Sequence, residues 1–143
     1  MTHGPGRSGA AAPKLVHVPK SDLTIPSGQS SGMQRLEAIS GTSAGAAKLW
    51  MGESHVAAGS RSADHHHGES ESAIFVLAGH PEFVFLDDGV ERRIRTQPGD
   101  YVFVPPFVPH REENPSSDEE AVVVLARSTQ EAIVVNLPSL SGE

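Results

Sequence analysis

The chain has 143 residues, a formal charge of −7 with histidine counted neutral, and no cysteine. That length fits one domain able to bury one real core, and the lack of thiols excludes disulfides and thiolate zinc sites. Its 11 lysines and arginines are scattered, giving no basic stripe for nucleic acid or for an anionic membrane surface. Any metal must then be held by imidazole and oxygen donors. The N-terminus lacks the apolar stretch of a secretory signal, and no apolar run is long enough to cross a bilayer, so a soluble cytoplasmic protein is the expectation.

Residues 1–13, rich in Gly, Pro and Ala, read as a disordered arm, followed by a candidate edge strand at 14–18 and a turn-like stretch at 26–32. From Met33 the chain reads as strand after strand. Met33–Ile39 comes first, a break at Gly41–Gly45 follows, and Ala47–His55 carries the only tryptophan, Trp50. Further strands are expected through 63–67, at Ser72–Ala78, at Glu82–Leu86 and, across the Asp88-Gly89 hairpin signal, at Val90–Thr96. Tyr101–Val104 precedes a proline-rich bend at 105–109, and Ala121–Ala126 and Ala132–Leu137 are the last apolar runs. The only helical hint is a turn near Thr129–Glu131. Many short strands with turn signals every eight to twelve residues predict an all-β sandwich or barrel, with residues 14–138 as one domain and 139–143 as a tail.

Three of the eight histidines are consecutive, at 65–67, between predicted strands. Successive strand side chains point to opposite faces, so His65 and His67 share one face, with Cα atoms roughly 6.5–7 Å apart, while His66 takes the other. Two imidazoles at that spacing can converge on one ion. Glu71 follows as a possible oxygen donor, and His110 comes some forty residues later, after a proline. Three imidazoles and a carboxylate form a mixed shell suited to a divalent ion such as Fe, Mn, Ni or Zn. The acidic pairs Glu112-Glu113 and Asp118–Glu120 read as solvated turns. Arg92, Arg93 and Arg95 read as mainly exposed, and His3, His17, His55 and His80 as structural or exposed.

At these residues the chain resembles the cupin family. The run from Gly59 through His65, His67 and Glu71 to Gly79 is similar to the first cupin motif, G(X)5HXH(X)3,4E(X)6G. The run from Gly99 through Pro105 and His110 to Asn114 is similar to the second, G(X)5PXG(X)2H(X)3N. The resemblance covers residues 47–127 well. It implies an antiparallel double-stranded β-helix, or jelly-roll barrel, of six to eight strands, with His65, His67, Glu71 and His110 as inward-facing metal ligands. It also implies structural turns at Gly59, Gly99 and Asn114. Two departures stand out. Seven residues rather than six separate Glu71 from Gly79, so that alignment from Gly79 puts Ser72 at the acidic position and leaves a three-histidine site. In addition, Phe107 replaces the motif glycine.

The resulting expectation is a metal-dependent enzyme acting on a small molecule, a dioxygenase ahead of an isomerase, decarboxylase or lyase. The alternative is a non-catalytic small-molecule binder or sensor. A metal-free epimerase-like cupin is disfavoured by histidines at metal spacing. A homodimer is expected in which 14–18 and Ala132–Leu137 are exchanged, since long edge strands need cover.

Overall fold

The computed structural model describes residues 12–26 and 32–143. Most of the expected arm (1–11) and most of the expected turn (27–31) lie outside the described residues. After a single 3-10 turn at Lys20–Asp22, ten strands follow: β1 (Met33–Ile39), β2 (Trp50–Val56), β3 (His65–His66), β4 (Ser72–Ala78), β5 (Glu82–Asp87), β6 (Val90–Arg95), β7 (Tyr101–Val104), β8 (His110–Glu113), β9 (Ala121–Arg127) and β10 (Val135–Asn136). Among the described residues they form two five-stranded antiparallel sheets, ordered β1-β2-β9-β4-β7 and β10-β3-β8-β5-β6. The short strands β3 and β10, two residues each, bring the count above the six to eight expected.

Two expected elements are absent. Residues 14–18 form no strand, and Leu15 is fully exposed, so a Leu- and Val-containing pentapeptide without a partner edge stays unpaired. The helical turn lies not at Thr129–Glu131 but at Gly41–Ala44 (α1), where Ser40 and Ser43 bond reciprocally as a capping box.

Period-two alternation positions everything that follows. On β2 the inward residues are Trp50, Gly52, Ser54 and Val56; on β4 they are Ser72, Ile74 and Val76. The β4–β9 register sets Val76 against Val123, Ile74 against Leu125 and Ser72 against Arg127. The inner face of this sheet therefore runs from apolar to polar along its strands. Phe83 from the facing sheet completes the buried core with Ile74, Val76, Val123 and Val104, the last standing beside Ser72. The polar end opens into a cavity. Gly79 closes β4 with φ +78°, and a Cβ there would sit 2.8 Å from the Ala121 Cα, so this turn admits only glycine.

Asn114 locks the far end. Its buried side chain donates to the carbonyls of Val56 and Glu119 and accepts from the Ser116 amide. At the other end Phe107, in place of the motif glycine, has φ +62° and is 62% exposed, with its amide bonded to Gly68 O at 2.8 Å. A left-handed backbone costs a non-glycine residue roughly 1–2 kcal/mol. Phe107→Gly should therefore raise the melting temperature by a few degrees, an increase of about 1 kcal/mol in stability readable by differential scanning calorimetry. No helix of the described residues is long and apolar enough to cross a membrane.

Candidate metal centre

Cross-strand register builds the site. His65 of β3 pairs directly with His110 of β8, so two residues 45 positions apart in sequence face each other in one ladder. His67, two residues beyond His65, returns to the same face. The ring centroids lie 4.8 Å (His65–His67), 4.5 Å (His65–His110) and 5.0 Å (His67–His110) apart. One ring nitrogen from each falls within 4.8 Å of the others.

Backbone carbonyls fix the three tautomers. His65 Nδ1 lies 2.6 Å from Ala63 O, His67 Nδ1 2.8 Å from Ile133 O, and His110 Nδ1 3.0 Å from Val108 O. A carbonyl can only accept, so each Nδ1 carries the proton and each Nε2 keeps its lone pair. Burial disfavours the charged rings: it pulls His65 and His67 below the usual histidine range and His110 down to about 4. Three neutral imidazoles, oriented through Nδ1 and converging through Nε2, are a donor set that fits one divalent ion.

Glu71 is not brought to this group. Its side chain is exposed, and its backbone is held by Ser128 through bonds of 3.1 Å in both directions. The inward position is the next one, Ser72, which is 7% exposed and lines the cavity. Counted with four residues after His67, a spacing the first motif allows, the acidic position falls on Ser72, and six residues then lead to Gly79. His66 points away, accepting from the Gly68 amide and lying 5.8 Å from the Phe107 ring.

The cavity around the histidines has a volume of about 630 Å³, within the range of small-molecule sites. Three cations line it: Arg35 from β1, Arg61 before β3 and Arg127 from the end of β9. The Arg127 guanidinium donates to the carbonyls of Thr129 and Gln130 and stacks 4.1 Å from the Trp50 ring, whose Nε1 donates to Glu37. Burial, with the charge of Arg35, brings Arg127 down to about 10, so it stays cationic at neutral pH.

Sequence reading also missed Glu112. It is not a solvated turn residue: it lies on β8 two residues after His110 and lines the same cavity. Its Oε2 is sealed from solvent and accepts no hydrogen bond, and burial pushes its carboxyl up to about 7. The signal was available, because the alternation that joins His65 to His67 also joins His110 to Glu112. Its neighbours face outward into an ion-pair network: Arg111 to Glu113 at 2.6 Å and Asp64 at 3.2 Å, and Arg93 to Glu113 at 2.8 Å and Glu82 at 2.9 Å.

A profile of the cupin domain family matches residues 52–126. The chain belongs to the cupin family. Among solved structures, this cupin resembles a point mutant of Bacillus subtilis oxalate decarboxylase at 24% identity and TM-score 0.65, covering 76% of this chain and 29% of the other. The Lactobacillus farciminis oxalate decarboxylase formate complex matches at 18% identity and TM-score 0.68, over 82% of this chain and 34% of that one. A B. subtilis oxalate decarboxylase structure described for its Mn(II) centres matches at 23% identity and TM-score 0.65, over 76% and 29%. The cupin thus spans about a third or less of the length of these neighbours, and the likeness establishes the shared jelly-roll fold. No curated protein matches the chain.

The buried carboxyl makes a testable pH signature. Because the Glu112 pKa is raised on folding, the folded chain holds a proton that the unfolded chain has released, and this stabilisation fades as pH rises from about 4.5 through about 7. The imidazoles, with lowered pKa, act oppositely: they cost stability as pH falls below 6.5. Glu112→Gln removes only the first effect. In urea titrations of metal-free protein, its advantage over wild type should grow by about 2 kcal/mol between pH 5.5 and pH 8. A constant difference would contradict the burial of this carboxyl.

Proposed function

We propose that this cupin is a metal-dependent enzyme acting on a small organic anion, with His65, His67 and His110 as its metal ligands. The observation that carries the reading is the convergence of three neutral, carbonyl-oriented imidazoles in one cavity. A bound divalent ion would supply Lewis acidity or a binding place for dioxygen. The protein's own contribution is to hold three nitrogens in place and, with Ser72 where an acidic ligand would stand, to leave coordination positions for water and substrate. Arg35, Arg61 and Arg127, three cations lining one cavity, favour a carboxylate-bearing molecule.

A dioxygenase is the first reading of the reaction, because a three-histidine shell with open positions suits Fe(II) and oxygen. Decarboxylation or another lyase reaction is the second, favoured by the arginines of the cavity. Both are decided by one experiment on protein loaded with iron, manganese, nickel or zinc. Oxygen uptake is followed with thiols, diketones and aromatic diols, and carbon dioxide release with small mono- and diacids. One metal form should turn over. His110→Ala should lose the bound metal and lower the rate more than about 100-fold, since even altering a residue that only orients a ligand costs 10–100-fold. One bound metal per chain without turnover on any ion would favour the non-catalytic binder, and failure of wild type to bind any of the four ions would sink the metal centre.

The chain is further proposed to work in the cytoplasm as a homodimer that exchanges its terminal segments. Leu15 and Val16 are exposed, and Val134 and Val135 are 46% and 41% exposed, leaving apolar side chains for a second copy to cover. Multi-angle light scattering should give twice 15.1 kDa. A monomer at that mass up to high micromolar concentration would exclude the exchange.

A further inference from the structure

Buried acceptors are almost always hydrogen-bonded, and one left without a donor costs on the order of 1–3 kcal/mol. Glu112 Oε2 is the one buried side-chain polar atom among the described residues without a partner. Two basic groups close to it in sequence and register do not serve it. Arg111 points outward to Glu113, Asp64 and Glu91, and Arg93 is bonded to Glu82 and Glu113. The backbone at Glu112 is satisfied, its amide donating to Ser62 Oγ at 2.9 Å and its carbonyl accepting from the Ser62 amide. The strand is thus fixed and the carboxyl is committed to the cavity side.

Its position relative to the histidines is set by the strand repeat. His110 and Glu112 are alternate residues of β8, on one face, with Cα atoms roughly 6.5–7 Å apart. A molecule held at the three imidazoles therefore needs only two or three further bonds to reach Glu112. Besides the cations Arg35, Arg61 and Arg127 and several serine hydroxyls, the cavity thus has the Glu112 carboxyl, which offers an acceptor oxygen in either protonation state.

We propose that Glu112 is a specificity-determining residue: the small acid taken by this cavity carries, besides its carboxylate, a hydroxyl or amino group whose hydrogen is donated to the Glu112 carboxyl. The substrate class is then hydroxy- or amino-carboxylic acids rather than plain carboxylic acids. This rests on the reading of the cavity as a metal-centred site for a small anion, and the experiment separates the two.

Zinc-loaded wild type, Glu112→Gln and Glu112→Leu are titrated calorimetrically with matched acids: glycolate against acetate, 3-hydroxypropionate and β-alanine against propionate, and 4-hydroxybutyrate against butyrate. At least one hydroxy or amino acid should bind wild type about tenfold more tightly than its plain partner, the effect of one well-made hydrogen bond to a carboxyl. The ratio should fall within about twofold of unity in Glu112→Leu and persist in Glu112→Gln, which keeps an acceptor oxygen, while zinc stoichiometry stays at one per chain in all three. In wild type labelled with 13C-glutamate, the Glu112 carboxyl resonance should move with the favoured acid and stay in place with its plain partner, a readout independent of whether the leucine variant folds. Absence of any preference in wild type, or a preference that survives in Glu112→Leu, overturns the proposal. If zinc fails to bind, the metal reading falls, and the same titrations on metal-free protein still decide the role of Glu112.

Discussion

The pairing of His65 with His110 is the contact on which the site depends. A hydrogen-bonded ladder fixes two residues distant in sequence to within one strand spacing, and the parity of the strand decides that both rings look inward. A slip of one residue between β3 and β8 would turn the whole inward set of one strand to solvent. The arrangement is pinned from several sides: Gly68 O holds the Phe107 amide, Asp64 O holds the Leu137 amide, and the exchange between Ser62 and Glu112 fixes the other flank. The carbonyls of Ala63, Val108 and Ile133 then set the ring orientations, so backbone geometry reaches through Nδ1 to the nitrogen that would meet an ion.

The same parity sorts charge. On β8, Arg111 and Glu113 turn away from the cavity into a network of ion pairs, with side chains only 16% and 15% exposed, where each charge meets an opposite one. His110 and Glu112 lie inward, where burial lowers the basicity of one and raises the pKa of the other. Both shifts favour neutral groups, which allows two ionisable residues on one short strand to be enclosed without a compensating counter-ion.

Much of this was legible in the sequence. The bounds of Met33–Ile39, Ser72–Ala78 and Tyr101–Val104 follow from turn residues and β-branched runs, and the two histidine motifs contain the three histidines that the structure brings together. The failures have local causes. Ile74 to Ala78 is apolar on both faces, so alternation could not choose between Glu71 and Ser72, and the choice follows from the pairing of Ser72 with Val104 and Arg127 and the hold of Ser128 on the Glu71 backbone. Glu112 was missed because a run of acidic residues reads as solvated unless the strand parity is counted from His110. Residues 14–18 have the composition of a strand, but a strand exists only where an edge accepts it.

Trp50 stands at the junction of these features. It is the only tryptophan of the chain, buried at 3% exposure, with its ring under the Arg127 guanidinium and its Nε1 on Glu37. Indole emission is sensitive to a cation held against its face, and this cation also lines the cavity. The molecule therefore carries its own optical reporter: displacement of the arginine by an incoming anion alters the surroundings of a single fluorophore, and filling of the chamber can be followed in unlabelled protein by its ultraviolet emission alone.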